Sequence, residues 1–171
     1  MFGQADATDL MLAKQIKDMT GLNAQALIKA SNLQPVLDAS ISANIALIES
    51  IPTQYHARLE TLLMTAIQNG KGTKWLEDEI KKLGQVTDAR AKLIARDQIG
   101  KVNTAVNKAR QTDLGIEEYR WRTCRDERVR HKHRKREGQV FRWDTPPDDG
   151  EGHAGEPINC RCGPEPVLDD D

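Results

Sequence analysis

Aromatic side chains are scarce: two Tyr, two Phe and three Trp make up 4% of the 171 residues. A large aromatic-rich β-core is excluded on that ground, and packing of slender helices is the better expectation. No apolar run reaches the ~18–20 residues with which a helix crosses a bilayer. The opening residues, Met1-Phe2-Gly3-Gln4-Ala5-Asp6, have neither the basic flank nor the apolar stretch of a secretory signal, which predicts a soluble protein made in a cytoplasm. Cysteine is sparse too. The three present, Cys124, Cys160 and Cys162, cannot build a disulfide framework, and in a reducing compartment they imply free thiols or a metal site.

Net charge is nearly absent as well, at −1, but this balance hides three unlike segments. Residues 1–119 carry 14 basic and 14 acidic side chains. Residues 120–142 carry 10 basic against three acidic, and residues 143–171 carry one basic, Arg161, against nine acidic. The basic block comprises Arg120, Arg122, Arg125, Arg128, Arg130, Lys132, Arg134, Lys135, Arg136 and Arg142. Such a density of like charge is costly without counter-charge nearby. Nucleic-acid phosphates would supply it in a sequence-independent, salt-sensitive way. The acidic segment that follows, in this chain or in a neighbouring subunit, would supply it without nucleic acid. Both sources stay open at this level.

The first half reads as successive helices. Leu10, Ala13, Ile16, Met19 and Leu27 predict a helix from about Asp9 to Ala30, with Gly21 as a break. A second run, Leu33 to Ser50, stops at Pro52 and carries the stripe Val36, Leu37, Ile41, Ile45 and Ile48. Thr53 is the expected N-cap of a third helix faced by Tyr55, Leu59, Leu62, Leu63, Ala66 and Ile67, with Gly70 at its C′ position. Thr73 is expected to cap a short helix with Leu76, Ile80 and Leu83, ended by Gly84. Thr87 or Asp88 opens a long helix to Arg110 that turns Ala91, Ile94, Ala95, Ile99, Val102, Val106 and Ala109 to one side. These stripes are read as helices packing on one another, with part of the face available to a partner.

At Gly115 the period changes to two. Tyr119, Trp121 and Thr123 alternate with Arg120, Arg122 and Cys124, and Val140-Phe141-Arg142-Trp143 repeats the pattern. Pairing these segments puts aromatics on one face and arginines on the other, the aromatics forming a small core rather than a base-stacking platform. Two strands are marginal alone, so the sheet must lean on the long helix or gain a third strand. Asp126 to Lys135 reads as a short basic helix, and the chain from Thr145 as a Pro/Gly/Asp-rich loop that needs a tie. Asp169-Asp170-Asp171 reads as a solvated tail.

Two imidazoles and two thiols, His133, His153, Cys160 and Cys162, suit a tetrahedral zinc site that would staple this loop-rich end. The Cys-x-Cys spacing is tighter than usual; Cys124 and His131 are substitute donors, and a loop held by hydrogen bonds with free thiols is the alternative. His131 or His133 beside Asp126, Glu127 and arginines could also serve as general acid and base in nuclease- or toxin-like chemistry, or simply form a salt-bridged surface.

Several strings together resemble a known family. They include Asn44-Ile45-Ala46-Leu47-Ile48 with Ser50-Ile51-Pro52 and Tyr55, then Ala91 to Gln98 with Lys101. Gly115-Ile116 with Tyr119 to Thr123, and Asp126-Glu127-Arg128-Val129-Arg130 with His133, come next. Gly138, Phe141, Trp143-Asp144, Pro146-Pro147, Gly152-His153 with Gly155-Glu156, and Asn159-Cys160-Arg161-Cys162 complete the series. In order and spacing they are similar to the minor head (head-morphogenesis) proteins of tailed bacteriophages, the Mu F-like family. The chain is short for such proteins, which implies reduced portal- or capsid-binding parts. Ala154 stands where they usually show Pro, and Cys124 lies outside the family motif.

The resemblance implies a non-enzymatic virion protein of the head or portal vertex, in host cytoplasm during assembly. It would act in procapsid assembly, DNA packaging or DNA delivery, in several copies. Its implied partners are portal protein or major capsid protein and packaged double-stranded DNA. It further implies that Arg128, Arg130, His133, His153, Asn159, Cys160 and Cys162 build the C-terminal module, with Arg96, Asp97 and Gln98 tying the long helix to it. The expected fold class is α+β: an elongated helical partner-docking region over residues 1–85, then a compact module over 86–171 with a small antiparallel sheet and a loop-rich end.

Overall fold

The computed structural model describes residues 33–69 and 71–168. The helix expected from Asp9 to Ala30, the C′ position of Gly70 and the acidic end lie outside the described residues. Within them the chain is α+β. Helix α1 (Gln34–Ala46) opens with Pro in its first turn, where no intrahelical N–H is lost. A 3₁₀ turn (Thr53–Tyr55) leads into α2 (His56–Gln68), and α3 (Thr73–Lys82) and the long α4 (Asp88–Asp113) follow. Strand β1 (Glu118–Arg122), the short α5 (His131–Arg136), β2 (Val140–Arg142) and β3 (Gly163–Pro166) complete the order. None of the described helices is long and apolar enough to cross a membrane.

The apolar stripes do bury. Leu37, Ile41 and Ile45 of α1 pack with Leu59 and Leu63 of α2, Leu76 and Ile80 of α3, and Ala91, Ile94, Ala95, Val102 and Val106 of α4. Helix α1 stops at Ala46, earlier than the stripe suggests, and a turn then drops Ile48 and Ile51 into the same core while Leu47 faces out. Two expected caps differ. Thr53 lies inside the 3₁₀ turn after Pro52, and Thr73 is the first helical residue after Gly72; neither helix start has a side-chain cap bond. Thr87 does cap α4, its hydroxyl accepting the Arg90 N–H at 3.3 Å. Gly84, at φ +69°, ends α3 in the left-handed conformation that favours glycine.

The sheet is antiparallel with order β2-β1-β3. Glu118 pairs with Arg142 and Tyr119 with Phe141 on one side, and Tyr119 with Pro166 and Trp121 with Pro164 on the other. The alternation works as the pattern predicts: Tyr119 and Trp121 are fully buried while Arg120 and Arg122 stay half-exposed. Trp143 stacks obliquely on Tyr119 with ring centroids 4.3 Å apart, so the few aromatics collect into one second core with Ala154. The third strand is a Gly-Pro-Glu-Pro segment, tolerable only at a sheet edge, where a missing N–H breaks no ladder.

Helix α4 joins the two cores. The division expected after residue 85 falls in the turn before it. Its apolar face continues the helical core, and its polar face meets the sheet and the closing loop. Gln111, fully buried, accepts from Trp143 Nε1 at 2.9 Å and donates to the Pro164 carbonyl at 3.2 Å. Thr104 donates its hydroxyl to the Ala154 carbonyl at 2.9 Å. Beside it Gly155 has φ +96°, and a Cβ there would stand 2.1 Å from Thr104 Oγ1, so only glycine lets the loop come this close.

Replacing Gln111 by Leu orphans the Trp143 indole N–H and the Pro164 carbonyl in the interior. Each buried unsatisfied group costs about 1–3 kcal/mol, so for two groups a loss of about 2–6 kcal/mol is expected. Urea unfolding checks it: the midpoint should fall with the slope unchanged. A midpoint equal to wild type would contradict the bridging role.

Candidate metal centre and cationic face

Helix α5 is six residues long and cationic almost throughout, yet it turns one side chain inward. His133 is 2% exposed, and its ring meets the edge of Trp121 at 5.3 Å. The expected helix from Asp126 shortens to this single turn. Upstream, the Asp126 carboxylate takes the Arg128 N–H at 3.0 Å and a two-pronged grip from Arg161 at 2.6 and 2.8 Å, which favours a turn over a helix.

The loop that faces His133 is held by α4. Asn159 sits at φ 55°, a conformation Asn tolerates better than most residues. Its N–H donates to Asp97 Oδ1 at 2.9 Å, and its side-chain oxygen accepts from Arg96 at 3.3 Å. The bend delivers both sulfurs of Cys160-Arg161-Cys162 to one point. Each Sγ lies 3.6 Å from His133 Nδ1, and the three donor atoms are within 4.8 Å of one another. The other imidazole nitrogen, Nε2, is 2.9 Å from Glu151 Oε2. The thiols titrate as a pair. A hydrogen bond from Cys162 favours the Cys160 thiolate and lowers that group, and Cys162, keeping the proton beside that thiolate, is raised.

His153 does not join the cluster. It belongs to the aromatic core, where its Nδ1 meets the Tyr119 hydroxyl at 3.1 Å and its ring lies 5.1 Å from Trp143. Burial pushes its pKa below the ordinary value, which keeps it neutral. The expected four-residue set is thus corrected to three, with His153 acting as a core side chain. Cys124, exposed, lines the same pocket as the trio, together with Arg96, Arg128 and Arg161.

The basic residues divide. Arg122 pairs with Glu165 at 2.8 Å, Arg136 with Asp149 at 2.6 Å, and Lys132 with Asp149 and Glu151, so the acidic segment neutralises part of the block within the chain. Arg125 reaches Glu137 at 3.0 Å, and Arg120 is half-buried across from Glu165. Arg136 also lies over the Trp121 ring at 5.0 Å. Arg130 and Arg134 instead donate to carbonyls, of Ile158 and of Glu127 and Val129, and pair with no carboxylate among the described residues. Arg128 stands 3.5 Å from an Asp126 already gripped by Arg161, and Lys135 is exposed. Arg128, Arg130, Arg134 and Lys135 therefore form the solvent-facing remainder.

Sequence reasoning missed Gln111, Thr104 and Glu151, the groups that dock loop and helix. On a helix, Gln and Thr read as solvent-facing, and a Glu in an acidic loop gives no sign of the imidazole it will meet. The residues 57–164 that span α2 to the middle of β3, this cluster included, match the Phage Mu protein F like family. The chain belongs to that family of phage head proteins. An uncharacterized protein of Haemophilus influenzae is 40% identical over 159 residues, which is 92% of this chain and 35% of that protein. The chain thus spans about a third of that relative's length. No solved structure matches it.

Among the carboxyls held below their ordinary values, Asp126 and Glu137 are lowered furthest. Arg161 holds Asp126 down to about 2. Burial alone would raise Glu137, but the hydroxyl and N–H of Thr123 and the Arg125 guanidinium outweigh it and bring it to about 2. Both folded values lie below the unfolded carboxyl range of about 4, so this stabilisation is full above that range and is lost as pH falls toward 2. Glu137→Gln should flatten the fall of Tm between about pH 4 and pH 2. Parallel wild-type and variant curves would contradict the assignment.

Proposed function

We propose that this chain is a non-enzymatic minor head protein of a tailed phage, acting in procapsid assembly, DNA packaging or DNA delivery near the portal vertex. Its neighbours in the virion are portal protein or major capsid protein, and it assembles in several copies. The observation that carries the reading is the uneven neutralisation of the basic block. Internal carboxylates take up Arg122, Lys132 and Arg136, while Arg128, Arg130, Arg134 and Lys135 face outward. Four exposed cations on one short stretch, of which only Arg128 reaches a described carboxylate, suit a polyanionic neighbour, and we assign packaged double-stranded DNA as that neighbour. Family membership supports the virion setting.

Fluorescence anisotropy with duplex DNA at several salt concentrations tests this. Binding should weaken as salt rises, and Arg128→Ala with Lys135→Ala should reduce the slope of log K against log salt by about two. No binding at low salt would leave an acidic protein surface as the neighbour instead.

The competing nuclease- or toxin-like reading uses His131 or His133. The geometry weighs against His133, whose ring is buried with one nitrogen on Glu151 and the other on two sulfurs. RNA and DNA should stay intact with the purified chain. Cleavage lost on His131→Ala or His133→Ala with the fold retained would overturn the non-enzymatic reading.

A further inference from the structure

We propose that His133, Cys160 and Cys162, joined by Cys124 across the same pocket, form a binding site for a soft divalent cation of the zinc class. The inference does not require the DNA contact above, although Arg128 and Arg130 border both. It rests first on spacing. Zinc–sulfur bonds of about 2.3 Å and a zinc–nitrogen bond of about 2.0–2.1 Å in a tetrahedron set the nitrogen-to-sulfur edge at about 3.6 Å. Both edges from His133 Nδ1 to the sulfurs are 3.6 Å.

The imidazole is also in the tautomer a metal needs. Glu151 Oε2 lies 2.9 Å from Nε2 and accepts its proton. Nδ1 then carries a lone pair, which is directed at both sulfurs equally. A single lone pair cannot accept well from two thiols at once, but it can share a cation with two thiolates. A carboxylate behind a histidine is the usual outer support of a zinc ligand, fixing ring orientation and raising basicity.

Hydrogen-bond donors lie against the sulfurs. The Cys162 N–H points at Cys160 Sγ at 3.4 Å, and the Gly155 N–H acts on the same sulfur. The Trp121 indole N–H is buried with no hydrogen-bond partner among the described residues. Arg96, Arg128, Arg130 and Arg161 line the pocket, so a centre with more thiolate than metal charge is compensated. Cys124 lines it too, outside the group of three donors that lie within 4.8 Å of one another. It follows β1 on an exposed stretch, where a rotation of its side chain costs little packing. Three thiolates and one imidazole complete a closed tetrahedral set.

The full chain, freed of metal and given cobalt(II) or zinc, tests the assignment. One equivalent of cobalt should bind with the intense near-ultraviolet sulfur-to-metal charge transfer of three thiolates, and zinc should displace it. Cys124→Ser should reduce that band by about a third with cobalt retained, since zinc-type sites tolerate one exogenous ligand. His153→Gln should leave the band unchanged. Glu151→Gln should weaken metal affinity by about tenfold or more. A readout free of substitutions guards against variants that do not fold: zinc should protect all three cysteines from iodoacetamide, mapped by mass spectrometry. Protection of Cys160 and Cys162 but not Cys124 would overturn the fourth ligand. Absence of stoichiometric metal, with equal labelling in its presence, would overturn the site.

Discussion

The C-terminal half depends on one constraint: the closing loop must come within bonding distance of helix α4. Three contacts do this along one side of the helix. Asp97 takes the Asn159 N–H, Thr104 the Ala154 carbonyl, and Gln111 spans Trp143 and Pro164. Each hydrogen bond is worth about 1 kcal/mol net; the Thr104 and Gln111 bonds are buried, where an unmade one costs more, while the Asn159 N–H bond is exposed. The loop has few apolar side chains, so these polar contacts take the place of a core. What they position is the bend at Asn159 and the two cysteines after it.

That arrangement also explains the charge pattern. A sequence that follows an excess of cations with an excess of carboxylates folds the second onto part of the first. Asp149, Glu151 and Glu165 neutralise the cations nearest the sheet and α5, and Glu151 at the same time orients His133. The cations beyond their reach stay outward. Screening by salt weakens exposed pairs far more than the buried hydrogen bonds of α4, so the outward face and the loop anchor respond to different conditions.

Much of this was legible in the sequence. The helical stripes from Leu37 to Val106, the period-two strands at Tyr119 and Val140, and the change of character near Gly115 each follow from local periodicity, which survives folding. The edge strand Gly163–Pro166 was not, because two prolines and a glycine read as loop and only pairing with Trp121 makes it a strand. Thr53 and Thr73 were given caps that Pro52 and Gly72 displaced, since a cap depends on backbone direction one residue away. The donor types of the candidate centre were legible, but His153 was not separable from His133. Both are histidines beside glycine or basic residues, and only the fold sends one to the sulfurs and the other to Tyr119.

The central claim is that loop and long helix form one cooperative unit through polar bonds, those of Thr104 and Gln111 buried and that of Asp97 at the surface. Native-state amide hydrogen exchange tests it most directly. The account predicts that the amides of Asn159, Cys160 and Cys162 exchange only with the opening of α4, at the same free energy as its residues from Thr104 to Gln111. Exchange of those loop amides at rates typical of free surface loops, while α4 stays protected, would contradict it.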